Sequence, residues 1–391
     1  MAIIGFTGFE GNINTGGLDG TDSPPFSPGT GSFSTAIKRS GLASARVNKI
    51  GAGVGAMSIV NGFNSDGTRV NYGGCATMYV TFYFRYTTKP ISNNEEFFQV
   101  SDNAGYQLSG RITSGGKVQL YGSGGTTQLG SDGATTLVAD TWYKISIRSG
   151  SGSATSIYEL YIDGVLELSG THSAIASPSN NRFVVGCNTD RNSQDMDMYF
   201  DDVLCSDSGF PDGDVTKNIE IVAIHPTANG TSMSWSAGTG ASDYQEVDEV
   251  EFDDTKYVMT PSSGTNPNTA LFAMEDSATV GISGTILAMK SIILTRENAA
   301  NVSAKFIRVK SGATNSDSST FNGSTQVVGQ GRILELNPNT ATAWTTSTID
   351  AVEIGAVENN NVAVRLINVC GYVVYIPSAV VINKSSFFQF M

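Results

Sequence analysis

Charge is scarce in this chain. Only 15% of its 391 residues are Asp, Glu, Lys or Arg, and their balance leaves a formal net charge of −13. A field of that sign repels phosphate backbones, which excludes broad nucleic-acid binding. Histidine is scarcer still, with only His172 and His225. Two histidines in so long a chain, and no Gly-x-Ser-x-Gly elbow between a strand and a helix, leave a nucleophilic triad unsupported. The four cysteines, Cys75, Cys187, Cys205 and Cys370, form no CxxC pair, so zinc and thioredoxin-like readings fail on spacing. Buried reduced thiols are expected, with a Cys187–Cys205 bridge left open. No apolar run approaches the roughly 18 residues of a membrane-spanning helix. The N-terminal MAIIGFTGFEG lacks the basic and long apolar regions of a signal peptide. A GxxxxGK[ST] phosphate loop is also missing.

What the chain has instead is glycine, 44 residues or about 11% against a usual level of about 7%, together with Ser, Thr and Asn. That mix suits many short strands joined by tight turns. Ile3 to Phe6, then Phe9-Glu10, read as a first strand, and residues 12–35 as a long loop. Met78 to Tyr86 is a strong β run. Tyr106 to Ile112 and Lys117 to Tyr121, divided by Ser114-Gly115-Gly116, read as a hairpin. From Trp142 to Ser149 the residues alternate, with Tyr143, Ile145 and Ile147 on one face and Trp142, Lys144, Ser146 and Arg148 on the other. Asp163-Gly164 reads as a positive-φ turn. The polar, turn-rich stretch from Ser206 to Asp214 marks a boundary, after which a second strand set begins at Ile219. The expectation is two all-β domains, residues 1–212 and 215–391.

Two resemblances sharpen this. Trp142 to Ile147, then Tyr158 to Leu166 with its Tyr-Ile-Asp-Gly turn, then Arg182 to Gly186 and Met198 to Val203, resemble the concanavalin A-like (laminin G-like) jelly rolls over residues 1–210. The resemblance implies two curved antiparallel sheets packed face to face, a concanavalin A-like jelly-roll sandwich followed by a second β-sandwich. His225 to Gly230, Trp235, Val247 to Glu249, Asp253 to Val258 and Trp344 with Ile349 to Gly355 resemble modules of bacteriophage structural proteins. That likeness implies a virion protein on the particle surface, assembled in the host cytoplasm. It also implies other virion proteins as partners, a homo-oligomer, host surface glycan as a ligand, and no membrane insertion.

Candidate sites follow. Glu10 lies near one end of the first domain and Asp201-Asp202 near the other. Adjacent first and last strands would bring these carboxylates together, and the matching residues of similar carbohydrate-binding jelly rolls hold a structural Ca²⁺. A hard cation of this kind takes about 6–8 oxygen ligands. The alternative is a solvated acidic edge. Glu246 to Glu251 resembles the catalytic strand of laminarinase-type glucanases, in which acids alternate. Here Glu249 occupies a position that pattern keeps apolar, and the motif falls in the wrong domain, so a charged exposed strand or loop is the better reading. Tyr72, Tyr106 and Tyr121 are candidate sugar platforms beside Asn-, Ser- and Gly-rich turns, with ordinary packing as the alternative. Trp142, Trp235 and Trp344 read as core anchors, His172 as a surface turn residue and His225 as a turn residue. Phe387, Phe388 and Phe390 form an apolar C-terminus suited to an assembly contact.

The sequence therefore sets out a non-enzymatic bacteriophage surface protein of the tail-fibre or tail-tip type. A head decoration or capsid-fibre protein is the alternative, and a glycan hydrolase a more distant one.

Overall fold

The computed structural model describes residues 3–10, 31–58, 75–101, 106–122, 124–151, 156–172, 180, 182–238, 242–250, 253–261, 267–297, 304–322, 325, 327–360 and 362–378. Phe387, Phe388, Phe390, Tyr72, Glu251 and the Tyr106 side chain lie outside the described residues.

Among its described residues the first half forms fourteen strands. They are β1 (Ile3–Thr7), β2 (Gly31–Ser34), β3 (Ser44–Lys49), β4 (Gly55–Ser58), β5 (Thr77–Thr88), β6 (Asn94–Ser101) and β7 (Tyr106–Thr113). β8 (Val118–Gly122), β9 (Thr127–Leu129), β10 (Tyr143–Gly150), β11 (Ser156–Ile162), β12 (Val165–His172), β13 (Arg182–Cys187) and β14 (Met196–Ser206) follow. An eight-stranded sheet runs β12-β11-β10-β5-β14-β3-β2, with β1 paired to β14; a six-stranded sheet runs β4-β13-β6-β7-β8-β9. Between them lies a core of Phe82, Phe84, Phe97, Phe98, Phe183 and Phe200 with aliphatic neighbours. The alternation predicted for Tyr143 to Arg148 holds, for Ile145 and Ile147 point into this core. The Asp163-Gly164 turn has φ of 51° and 83°, the left-handed pair of a tight hairpin.

The second half contributes β15 (Glu220–Ile224), β16 (Pro226–Met233), β17 (Ser236–Ala237), β18 (Val258–Met259), β19 (Asn268–Met274) and β20 (Gly284–Glu297). It continues with β21 (Ala304–Ser311), β22 (Thr314–Asp317), β23 (Phe321–Asn322), β24 (Val328–Leu334), β25 (Val352–Glu358) and β26 (Val364–Pro377). One sheet runs β17-β18-β26-β20-β24 with β15 on β26, the other β16-β19-β25-β21-β22 with β23 on β21. Their shared core holds Trp235, Phe272, Met289, Ile293, Trp344 and Val373. The fold is all-β, two sandwiches in series, as the sequence pattern implies.

The sandwiches meet face to face. In β15, β20 and β26 the residues alternate between two apolar surroundings. Val222, Met289, Ile293 and Val373 face the second core. Ile221, Ala288, Ile292, Tyr372 and Val374 face the other way, onto Ile3, Phe6, Tyr83 and Leu204 of the first sandwich. Partly buried Trp142 joins this joint rather than either core. Polar ties frame it: Lys144 Nζ donates to Thr216 O at 2.7 Å and Lys217 O at 2.9 Å, and Ile3 N–H donates to Glu335 Oε1 at 3.1 Å. The result is four stacked sheets.

Several expectations need correcting. Gly31–Ser34 is a strand within the stretch read as loop. The first strand stops at Thr7, and Phe9 takes φ 60°. His172 is buried on β12 against Tyr158, not in a surface turn, because the hairpin runs on to cover it. All four cysteines are free and buried, so no Cys187–Cys205 bridge forms. No described helix is long and apolar enough to cross a membrane.

Shortening Ile292 to Ala in the joint should cost about 2–5 kcal/mol, as for a buried aliphatic side chain. Urea unfolding of the full chain reads this. A cost under about 1 kcal/mol would mean that the two sandwiches do not depend on this contact.

Candidate functional site

Glu10, Asp201 and Asp202 come together at the joint. β1 runs antiparallel to β14, pairing Thr7 with Val203, so the chain leaving β1 passes beside the aspartates. Adjacent residues of a strand ordinarily point to opposite faces. Here the β14 register shifts between Asp201 and Leu204, and Asp202 has φ 46°. This β-bulge turns both carboxylates toward the Arg39-Ser40 turn. Asp201 Oδ2 accepts from Arg39 N–H at 2.8 Å; Ser40 Oγ donates to Asp202 Oδ1 at 2.8 Å. Arg39 Nη1 donates to Asp202 Oδ2 and to Ile219 O, while Ile221 N–H donates to Asp202 Oδ1 at 2.7 Å. Asp202 therefore pins the second sandwich to the first. The Arg39 guanidinium also lies 3.5 Å from the centre of the Tyr83 ring.

All three carboxylates are fully buried, which excludes the solvated acidic edge. Burial, and then the neighbouring Asp202 charge, raise Asp201 well above the usual carboxylate range. Burial pushes Glu10 up to about 8 against the Leu42 N–H that it accepts, with the Asp202 charge adding to the rise. Burial raises Asp202 too, against the Arg39 charge. Three buried acids face one buried guanidinium, so protons or a cation must neutralise the excess. Glu10 Oε1 has no hydrogen-bond partner, and Gly41, at φ 56°, packs so closely that a Cβ would overlap the Glu10 carboxylate. Among the described residues no group of three or more His, Cys, Asp or Glu side chains is arranged to hold a metal. Asp202 is committed to N–H and O–H donors. Both Asp201 oxygens likewise accept N–H groups, Oδ2 from Arg39 and Ser40 and Oδ1 from Asp202, so the carboxylate oxygen left without a partner is Glu10 Oε1.

A second polar constellation lies on the outer face of the six-stranded sheet, the face turned away from the joint. Alternation in β6, β7 and β8 sends Val100, Leu108, Ile112, Val118 and Leu120 to the core, and Gln99, Ser109, Arg111, Gln119 and Tyr121 outward. The Arg111 guanidinium stacks 3.6 Å from the Tyr121 ring centre. Asn94 Nδ2 donates to Tyr121 Oη at 2.8 Å, and Tyr121 Oη donates to Gln119 Oε1 at 3.2 Å. Asn192 Nδ2 is held by Asn94 O and Oδ1. These side chains line an open depression of about 420 Å³ with Asn93, Thr113 and Ser114. Beneath it Glu96 accepts from Asn188 and Thr189 N–H and pairs with Arg191 at 3.4 Å. Burial, offset by Arg191 and Arg111, raises Glu96 to about 7. Glu95 is instead paired with buried Lys49 at 3.1 Å. Of the three tyrosines singled out in the sequence, only Tyr121 can be assigned to this face. Arg111, Gln119 and Asn192 were missed, although the two-residue alternation Arg111/Thr113 and Gln119/Tyr121 about Ser114-Gly115-Gly116 carries the signal.

In its described part, Glu246 to Val250, the Glu246 to Glu251 segment forms no strand. Asp243–Glu246 is a 3₁₀ turn, Glu246 accepts from Tyr257 N–H at 3.3 Å, and Glu249 is paired with Lys256. The alternating acid face of a glucanase is thus not built there. Trp235 and Trp344 are core anchors as expected.

No family model and no curated protein matches the chain. Solved structures it is similar to include the cellulose induced protein Cip1, at 17% identity over 47% of this chain and 91% of that one, TM-score 0.36. A Trypanosoma rangeli sialidase in complex with sialic acid matches at 10% identity over 55% of this chain and 32% of that one, TM-score 0.37. The alginate lyase AlgAT5 from Polysaccharide Lyase family 7 matches at 14% identity over 42% and 77%, TM-score 0.32. The expectation of a non-enzymatic protein is corrected by these findings, since sialidases and an alginate lyase are enzymes. The likeness is remote, and no particular reaction passes to this chain from it.

Replacing Arg39 by Ala strands the buried Asp202 charge and should cost about 3–5 kcal/mol. Chemical denaturation of the full chain measures it, with Arg39→Lys recovering part of the loss. Equal stability of Arg39→Ala and the unaltered protein would remove this ion pair from the joint.

Proposed function

We propose that the protein recognises glycan on the outer face of the six-stranded sheet of its first sandwich. The observation that carries this reading is the Tyr121–Arg111 stack ringed by Asn94, Gln119 and Asn192 in an open depression. A sugar has apolar C–H faces and a fringe of hydroxyls. An aromatic ring takes the first, and amide and guanidinium groups take the second in pairs. Arg111 adds affinity for a carboxylate, so uronic or sialic acid-type glycans are the preferred class. The resemblance of residues 216–360 to bacteriophage modules supplies a setting: the particle surface, with host glycan as ligand and a tail or head position open. Phe387, Phe388 and Phe390 would then contact other virion proteins or a second copy of the chain.

The same reading includes the structural Ca²⁺ expected at Glu10, Asp201 and Asp202, where Glu10 Oε1 is the carboxylate oxygen without a hydrogen-bond partner. Bound there, the ion supplies the positive charge that three buried carboxylates and one guanidinium lack.

Glycan-array binding of the full chain, with product analysis of the bound glycans, tests the recognition. Tyr121→Ala should lower affinity at least tenfold without lowering the melting temperature; Arg111→Ala should lower affinity as far and, because Arg111 is buried and donates to Gly125 O, the melting temperature as well. Loss of the Glu96 charge as pH falls from 8 to 6 leaves Arg111 and Arg191 less opposed, so acidic glycans should bind more tightly over that window and neutral ones should not. Binding that is indifferent to both substitutions argues against this face. For the cation, chelation should lower the melting temperature by about 2–4 °C for each kcal/mol of binding energy withdrawn, with Ca²⁺ restoring it. Identical melting with and without chelator removes Ca²⁺.

A further inference from the structure

The joint between the sandwiches is not closed along its whole length. At one margin it opens into a cleft of about 960 Å³, lined from the first sandwich by Glu10 and the Arg39–Leu42 turn and from the second by β15, β26 and neighbouring loops. Ligand sites favour such boundaries between packed units, and volumes of about 300–1,000 Å³ suit small molecules.

The lining is one-sided in charge. Glu220, Asp248 and Glu275 are half-buried on it, and its one arginine, Arg39, donates to Asp202 and Ile219 O and lies 4.0 Å from Glu220 Oε1. An anion therefore has no free partner there. Glu220 takes the Tyr375 hydroxyl at 2.6 Å, and Glu275 accepts His225 N–H at 2.9 Å through one oxygen. His225 lines the same cleft and is only 8% exposed, yet neither ring nitrogen has a hydrogen-bond partner. A buried imidazole without partners forgoes the hydrogen bonds that both ring nitrogens make in water. Burial lowers its pKa against the Glu275 charge, so at neutral pH it offers one acceptor and one donor.

We propose that this cleft binds an organic cation bearing a protonated amine, seated among the Glu220, Asp248 and Glu275 carboxylates with His225 as a hydrogen-bond partner. A metal ion asks for several oxygen ligands converging on one point. An ammonium group needs no such convergence, and Tyr244 and Tyr375 on the lining supply aromatic surface that suits it. The inference stands apart from the glycan face, which belongs to the other sheet of the first sandwich.

Isothermal titration of the full chain, at physiological ionic strength, with spermidine and separately with Nα-acetyl-lysine methylamide tests it. Saturable binding of at least one probe is expected, weakened at least tenfold by Asp248→Asn and by Glu275→Gln. Both substitutions are nearly isosteric at half-buried positions, and an unchanged melting temperature confirms that the variants fold. Tighter spermidine binding identifies a free polyamine as the source of the amine, and tighter binding of the lysine mimic identifies a partner's side chain. Tyr121→Ala should leave amine binding intact. Absence of saturable binding by either probe, or variants that bind as tightly as the unaltered protein, overturns the proposal.

Discussion

The architecture turns on one sheet that is apolar on both faces. β15, β20 and β26 send alternate residues into the second core and onto the first sandwich, so neither face can be left in water. Covering the second face requires a partner sheet with its own apolar outer surface, which Ile3, Phe6, Tyr83 and Leu204 provide. Once those two sheets are stacked, only the outermost sheets have a face left for ligands. The polar face holding Tyr121 and Arg111 is one of them. Placement of the proposed glycan surface thus follows from which sheets had to be hidden.

The joint carries its charges at the margin of that apolar contact. The bulge in β14 gives two consecutive aspartates a common direction, and the Arg39 turn meets them. Buried charge is costly unless it is paired and hydrogen-bonded. Asp202 meets that condition through Arg39, Ser40 and Ile221, whereas Glu10 meets it only in part. The same margin opens into the cleft, so unspent negative charge collects where two domains leave room for something to bind.

Much of the fold was legible because period-two alternation leaves a plain record. Ile145 and Ile147, the Asp163-Gly164 turn and the pairing of first and last strands follow from pattern and turn chemistry. Glu10, Asp201 and Asp202 could be grouped by that pairing, but not their burial, which depends on a second sandwich pressing on them. Asp202 could not be aimed, since the bulge breaks the very periodicity that makes strands readable. His172 was misread because a polar sequence around it hid a continuing strand. The Arg111–Tyr121 face needed the register between β7 and β8 before distant residues became neighbours. For Glu246 to Glu251 the pattern left strand and loop open; a 3₁₀ turn occupies Asp243–Glu246, and Glu246 is buried rather than exposed.

β1 has a further consequence. It precedes every other described strand in the chain, yet among the described residues it pairs with β14 alone and is sheltered by residues as late as Tyr372 and Val374. Until those are synthesised, Ile3 and Phe6 have no complete cover. Non-local pairing of this kind is slow and leaves apolar surface open while it waits. A strand made before its cover is therefore among the last to be locked, and it works as a latch that shuts when both sandwiches exist.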